Sequence, residues 1–380
     1  MILLAGFSLL VWIYLLVARG GFWLARERDD LGESNYIPES WPSVVAIVPA
    51  RDEADVIAQT IGSLLAQDYR GAFRIVLVDD RSSDGTAETA RRVALASGAD
   101  RLEIVSGQER PAGWTGKVWA MRQGLAQALE TNAPDYFLFT DADIAHTPDN
   151  LRRLVRRAGQ RKLVLVSLMA KLHCESLSEK LLIPAFVFFF DMLFPFAWSN
   201  DPARRTAAAA GGCMLVRRDA LIAAGGLETI ARAIIDDCAL ARVMKEQGPI
   251  WLGLTRRAVS IRPYDGLGEI GRMVSRSAYA QLGYSPLLLC GTLLGMLIVY
   301  AAPPLLAIFA VGPARMAGAA AWLCMMIAYL PMLHFYRLSP LWGPLLPAAG
   351  ACYTVFTMNS AIQHWRGRGG MWKGRAQAMA

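Results

Sequence analysis

Apolar positions fall into three regimes along the chain. Met1 to Ala18 runs without a charged side chain, and Arg19, Arg26 and Arg28 follow it. About 20 apolar residues cross a bilayer as helix, and basic residues mark the inner side. The first 20 residues are therefore expected to be a signal anchor, with residues 21–41 a linker and the rest of the chain continuing on the cytoplasmic side. A cleaved signal peptide is the rival, but no basic region precedes the apolar run and no A-x-A site follows it. From Ser285 to Gln363 the chain is again almost uncharged, carrying only Arg315, His334 and Arg337. That block has room for three spans, near 286–311, 316–336 and 341–362.

The middle, 42–270, has a different rhythm. "SVVAIVPA" (43–50), "FRIVLVDD" (73–80), "LEIVSG" (102–107), "YFLFTDAD" (136–143) and "KLVLVSLM" (162–169) are apolar runs of strand length. Between them 53–66, 86–97 and 118–130 have helical periodicity. This order predicts an α/β domain with a mainly parallel sheet, helices on both faces and a ligand crevice at the carboxyl ends of the strands. Gly-x-Gly-x-x-Gly is absent, which argues against a dinucleotide site. "GWTGKV" (113–118) fails as a phosphate loop, because Pro111 replaces the first glycine and Val118 the Ser or Thr.

A cytoplasmic middle followed by three full spans would export the tail 364–380, whose Arg and Lys residues argue for the inside. One of the three segments is therefore expected to be incomplete. Pro303-Pro304 and the series Pro340, Pro344, Pro347 mark the candidates for broken or re-entrant helices, since proline removes a donor that lipid cannot replace.

Composition narrows the function classes. The 380 residues are 54% hydrophobic and only 19% charged, too apolar for an ordinary soluble enzyme. The net charge of +7 comes largely from residues flanking apolar segments, where anionic headgroups attract them. No helix-turn-helix, zinc-finger or aromatic RNA-binding pattern accompanies them, so nucleic acid is not expected as a partner. The six cysteines lack C-x-x-C spacing and read as reduced packing residues.

Candidate chemistry sits at the strand ends, in four stations. In "VPARDE" (48–53), Pro49 ends a strand, and Arg51 and Glu53 follow in a loop. In "VDDRSSDGT" (78–86), Asp79 and Asp80 close the second strand, and Asp84-Gly85-Thr86 turns into a helix. Clustered carboxylates repel one another and need a cation or hydrogen-bond donors, such as a nucleobase imide and ribose hydroxyls. These aspartates also suit plain capping of turn and helix; for the pair together the binding role is preferred. In the third station, Asp141-Ala142-Asp143, two carboxylates at i and i+2 project to one side if the chain stays extended. Such an all-oxygen pair suits Mg²⁺ or Mn²⁺ clamping a nucleotide diphosphate. In the fourth, "IIDDCALARVMKEQG" (234–248), Asp236 and Asp237 begin a helical stretch after "GGCMLVRRDALIAAGGL" (211–227). They read either as favourable charge at a helix N-terminus or as a general base for an acceptor hydroxyl.

In that order and spacing, these residues resemble a family 2 glycosyltransferase of the GT-A fold, the nucleotide-diphospho-sugar transferase architecture, over about residues 43–250. The flanking apolar segments and the "GGMWKGR" tail are more particularly similar to the hopene-associated membrane glycosyltransferases. The resemblance implies an inverting, single-displacement transfer from a nucleotide-sugar, usually a UDP-sugar. It implies that Pro49, Arg51, Glu53, Asp79 and Asp80 hold base and ribose, with Asp80 on the uracil. Asp141 and Asp143 would take the metal-diphosphate, with Asp143 the direct ligand. Asp237 would be the catalytic base and Asp236 would stand in the place of the family's Glu. Lys117, in "WTGKVWAMRQG", stands where related enzymes have a lysine near the donor, and reads equally well as a plain surface lysine.

One departure bears on the product. Processive members carry a Q/R-x-x-R-W signature, whereas "RMVSRSAYAQL" (272–282) offers Arg276 with Met273 and Ser277 at the flanking positions. Arg276 still suits a diphosphate contact, but loss of the tryptophan disfavours polymer synthesis. "LLIPAFVFFFDMLFPFAW" (181–198) reads as an interfacial segment within 177–198, lying on the membrane beside the site, or as a buried core helix. The expectation is thus a multi-pass protein of the cell's inner (cytoplasmic) membrane with its catalytic domain facing the cytoplasm, moving one sugar to a lipid such as a hopanoid or other polyprenoid. The rivals are a processive polysaccharide synthase and a non-catalytic nucleotide-sugar-binding scaffold.

Overall fold

The computed structural model describes residues 1–31, 36–372 and 375–376. In chain order the elements begin α1 (Ile2–Ala18), β1 (Val44–Ala50), α2 (Ile57–Leu65), β2 (Phe73–Asp79), α3 (Thr86–Ser97) and β3 (Leu102–Ser106). Next come α4 (Gly116–Asn132), β4 (Tyr136–Thr140), β5 (Ile144–His146), α5 (Asn150–Arg161) and β6 (Leu165–Lys171). They are followed by α6 (Leu177–Leu193), α7 (Phe196–Asn200), β7 (Cys213–Arg217), α8 (Arg218–Ala223), α9 (Asp236–Gln247) and β8 (Ile250–Ser260). The remainder is mainly helical: α10 (Leu267–Ser275), α11 (Ala278–Gln281), α12 (Pro286–Met296), α13 (Ala302–Phe309), α14 (Gly312–Phe335) and α15 (Leu346–Trp365).

Two compact units result. One comprises Glu27–His173, Trp198–Arg262 and Met371–Ala380; the other comprises Met1–Arg26, Cys174–Ala197 and Pro263–Gly370. Residues 174–197 and 263–270, which the sequence reading gave to the α/β domain, thus group with the helical unit.

The first unit is built on an eight-stranded sheet in the order β3-β2-β1-β4-β7-β6-β8-β5. Strands β3, β2, β1 and β4 pair in parallel; β7 enters antiparallel to both β4 and β6, and β6 and β8 are again parallel. The mainly parallel GT-A arrangement expected from the sequence is therefore present, as a mixed sheet. Every residue of β1 is buried because helices cover both faces. Val44, Ala46, Val48 and Ala50 pack with α2, α3 and α5, while Val45 and Ile47 pack with α4, α8 and α9. This is the period-2 alternation of a strand. On α5, Leu151, Leu154, Val155 and Ala158 face the core at helical spacing, leaving its arginines outward.

Within the helical unit, α6 opens on a capping box. Ser176 Oγ accepts from the Glu179 amide at 3.3 Å, and Glu179 Oε2 accepts from the Ser176 amide at 2.8 Å. Three continuous helical segments, Pro286–Phe309, Gly312–Phe335 and Pro340–Trp365, are long and apolar enough to cross a membrane. The first continues through Pro303-Pro304 behind a π turn at Leu297–Ala301. At 17 residues, α1 reaches about 25 Å, short of the roughly 30 Å hydrocarbon core.

Candidate functional site

Strands β1, β2, β4 and β8 end at the same edge of the sheet, and β7 begins there. The sequence-expected residues of the sheet unit gather at this edge. One local expectation needs correction. Asp141-Ala142-Asp143 is not extended: β4 stops at Thr140 and the three residues turn into β5. The turn is tied from three sides. Thr60 Oγ1 donates to the Ala142 carbonyl at 2.7 Å, the Ile144 amide to that of Asp141 at 3.3 Å, and the Ile261 amide to that of Asp143 at 2.9 Å. The two carboxylates are therefore placed by tertiary hydrogen bonds, not by strand periodicity.

The centre of the site is an ammonium among carboxylates. Lys117, on the first turn of α4, places Nζ 2.8 Å from Asp141 Oδ1 and 3.2 Å from Asp236 Oδ2. Burial alone would pull its pKa down, but Asp141 and Asp236 outweigh that and hold it above the usual lysine range. Asp236 Oδ2 has this charge partner but no aligned hydrogen bond. Next to it, Asp237 Oδ2 accepts the Gly211 amide at 2.9 Å and Oδ1 accepts the Cys238 amide at 2.7 Å. Burial first, and then the adjacent Asp236 charge, push Asp237 up to about 6 against the opposing pull of Lys117. A β-carbon on Gly211 would stand 3.0 Å from Lys117 Nζ and 3.5 Å from Asp237 Oδ2, so glycine lets the backbone touch the cluster.

Asp143 lies on the other flank, where its Oδ2 accepts from Ser260 Oγ at 2.9 Å. Burial and the Asp141 charge raise its pKa above the carboxylate range, with Ser260 and Arg262 acting in the opposite sense. Arg262 pairs with Glu53 and, at 2.9 Å, with Asp55 Oδ2. Arg51 Nη1 donates to the Asp80 carbonyl at 2.6 Å and lies 3.7 Å from its Oδ2. Asp84 fulfils the turn part of the capping reading, accepting from the Ala54 amide, the Thr86 amide and the Thr86 hydroxyl, while the N-cap of α3 is Gly85 without a side-chain cap.

One expected residue, Pro49, stands differently from the sequence reading, and Asp80 and Arg276 are placed as follows. Pro49 does not end β1; it lies within the ladder, paired with Val78, and acts on the loop only through the backbone. Asp80 is 1% exposed, closed off beside Arg51, whereas Asp79 at the end of β2 remains partly accessible. The Asp80 carbonyl and carboxylate face the Arg51 guanidinium. Arg276 caps the C-terminus of α10, in the helical unit. Sequence reading missed Arg262, Ser260 and Gly211. The strand β8 that delivers the first two was not anticipated, and the only signal for Gly211 was its place in the "GG" pair.

No group of three or more His, Cys, Asp or Glu side chains with metal-binding geometry occurs among the described residues. Asp141 and Asp143 alone supply two hard oxygens, with Asp141 a third exposed and Asp143 short of compensating positive charge. That suits Mg²⁺ or Mn²⁺ held by two carboxylates and completed by substrate phosphates, but not an all-protein cage. A separate cavity of about 350 Å³, lined by Tyr36, Pro42, Asp135 and Arg217 among others, contains none of these residues.

Comparison with known proteins bears on the fold that carries this site. Residues 45–224 match the family model for glycosyl transferase family 2. The chain is 27% identical over 190 residues to an N-acetylglucosaminyltransferase of Mesorhizobium japonicum, covering 48% of this chain and 41% of the relative. A second N-acetylglucosaminyltransferase, from Rhizobium leguminosarum bv. viciae, is 27% identical over 187 residues, covering 48% and 40%. The match thus spans less than half the length of these curated relatives. Among solved structures, the mannosyltransferase PcManGT from Pyrobaculum calidifontis, in complex with GDP-Man and Mn²⁺, superposes with a TM-score of 0.53 at 19% identity. It covers 94% of this chain and 99% of that one, a likeness of fold. Residues 45–224 thus resemble a family 2 glycosyltransferase domain, the sheet unit has the GT-A fold, and among the described residues three helices are long and apolar enough to span a membrane.

Proposed function

We propose that this protein is an inverting glycosyltransferase that moves one sugar from a nucleotide-sugar, taken to be a UDP-sugar, to a lipid alcohol in the bilayer. The observation that carries the reading is the convergence of Lys117, Asp141, Asp236 and Asp237, from three separate elements, at the carboxyl edge of the sheet. In this reading Asp237 takes the proton of the acceptor hydroxyl as the new C–O bond forms at the anomeric carbon and the bond to the diphosphate breaks. A carboxyl that releases its proton near pH 6 suits that task at neutral pH. Lys117 orients Asp141 and Asp236, while Arg51, Glu53, Asp79 and, through Arg51, Asp80 shape the base and ribose side. Arg276 is assigned to the diphosphate. Asp141 and Asp143 would hold Mg²⁺ or Mn²⁺, which offsets negative charge on the leaving diphosphate.

The membrane acceptor rests on the apolar helices and on the missing tryptophan at Ser277; a hopanoid or other polyprenoid is the class proposed. The same helices support assignment to the cytoplasmic membrane, with the site open to cytoplasmic nucleotide-sugars.

The test is direct. The full chain in nanodiscs, supplied with labelled UDP-N-acetylglucosamine or UDP-glucose and a polyprenoid extract, should yield a lipid heavier by one sugar. Products that lengthen with time would instead identify a polysaccharide synthase. Asp237→Asn should lower transfer by roughly 10²- to 10⁴-fold while UDP affinity stays nearly unchanged. Unimpaired cellular function in that variant would point to a scaffold.

A further inference from the structure

One buried polar network is unused by the reaction just described. Thr140, the last residue of β4, is 1% exposed, and its Oγ1 donates to the Gly212 carbonyl at 2.8 Å. The same oxygen lies 2.9 Å from His146 Nε2, and His146 is 5% exposed. On the far side of the ring, Nδ1 lies 2.9 Å from Asn150 Nδ2, which also reaches Cys213 Sγ at 3.7 Å.

Proton counting fixes the direction of every bond. Thr140 has one hydroxyl proton, and the Gly212 carbonyl can only accept it. Toward His146 the hydroxyl must then accept, so Nε2 carries the ring proton and Nδ1 is the acceptor. Asn150 Nδ2 has two protons, one for Nδ1 and one for Cys213 Sγ. This leaves Asn150 Oδ1 as the atom of that side chain without a hydrogen-bond partner, as observed. With a neutral ring, turning the amide over would set two acceptors face to face or break the bond to Gly212.

The two ends of this network adjoin the acid cluster. Thr140 immediately precedes Asp141, which holds Lys117; Gly212 immediately follows Gly211, whose amide holds Asp237. We infer that His146, as the neutral Nε2–H tautomer, is a positioning residue that sets the spacing between the Asp141 turn and the Gly211 backbone through Thr140, with Asn150 fixing the ring. The catalytic part of this inference rests on the glycosyltransferase reading; the tautomer does not. Burial supports it by keeping the imidazole neutral, down to about 4.

Two measurements on the full chain test it. The protein has four histidines, so ¹⁵N-histidine correlation spectra at neutral pH, with His146→Gln identifying the signal, should show an Nε2–H ring. An Nδ1–H ring or an imidazolium at that position overturns the inference. In transfer assays, His146→Leu and Thr140→Val should each lower kcat roughly 10- to 100-fold and change the donor KM less than about threefold. The double variant should be no worse than either single one. His146→Gln, which keeps a donor toward Thr140, should recover most of kcat. Folded variants with unchanged kcat, or losses that multiply in the double variant, overturn it. Absence of transfer by the parent protein would defeat the glycosyltransferase reading, and the tautomer measurement would still decide the state of His146.

Discussion

At the scale of single residues, the proposed role of Asp237 as base sets function against stability. A free aspartic carboxyl releases its proton near pH 4, whereas folded Asp237 keeps it to about 6. Between these values the native state binds more protons than the unfolded one, so the contribution of Asp237 to stability falls as pH rises through that window. Transfer should rise with pH over the upper part of the same window, reaching a plateau above about 6, as the base becomes available. The parent should therefore lose stability between about pH 4 and pH 6 relative to Asp237→Asn, which lowers transfer by roughly 10²- to 10⁴-fold and has no proton to release there. Melting of the variant and the parent in detergent at about pH 4 and pH 7 decides this; an Asn variant with the parent's pH dependence would contradict it. Lys117→Met should act in the reverse sense, leaving Asp141 and Asp236 without their cation. After allowing for partial solvent screening, a loss of roughly 1–2 kcal/mol at neutral pH is expected, measured by thermal unfolding in detergent. The place of Asp237 at a helix start was legible in the sequence because an acidic pair opening a helix is a local pattern. The ion pairs of Lys117 were not, since Asp141 and Asp236 come from residues far along the chain.

At the scale of elements, local periodicity recovered the first four parallel strands and their helices, with α3 matching 86–97 to the residue. It failed where pairing is antiparallel or the strand departs from an apolar run. β5 is only three residues long, too short to show a period. β7 was read as part of the "GG" motif, and β8 contains Gly253 and the Arg256-Arg257 pair. The glycine has a packing reason: a β-carbon there would lie 2.1 Å from the Trp251 ring. These missed strands deliver Gly211, Gly212, Ser260 and Arg262, so half of the crevice was invisible to local reading. They also yield a sharp prediction at the β7 entrance. In Gly211→Ala the new methyl meets the end of the Lys117 side chain, which must move aside, so stability should fall by no more than the roughly 1–2 kcal/mol expected for Lys117→Met. The displaced ammonium no longer bridges Asp141 and Asp236, and transfer should fall more than about tenfold. A variant with full activity would show that the lysine's position does not matter.

At the scale of the whole molecule, the difficulty is polar backbone in an apolar setting. The candidate spans of 24, 24 and 26 residues reach about 36–39 Å at about 1.5 Å per residue, enough for a hydrocarbon core of about 30 Å. The protein should accordingly resist alkaline carbonate extraction from membranes. Proline in the first span removes two backbone donors, which the sequence alone suggested would break it. The helix instead widens into a π turn, and α1 supplies donors from outside. Ser8 Oγ donates to the Ile298 carbonyl and Trp12 Nε1 to that of Val299, each at 2.8 Å. These are the carbonyls four and five residues before Pro303, the ones its missing N–H would otherwise serve. Ser8 and Trp12 are both fully buried, so α1 completes the hydrogen bonding of its neighbour, a role that does not depend on its being a full-length span. Ser8→Ala and Trp12→Phe should each cost about 1 kcal/mol, in keeping with hydrogen bonds between helices in membranes. Thermal unfolding of the single and double variants in detergent would measure this. If these bonds satisfy separate carbonyls the two losses should nearly add, whereas no loss in either variant would mean that the π turn leaves no carbonyl in need of a partner.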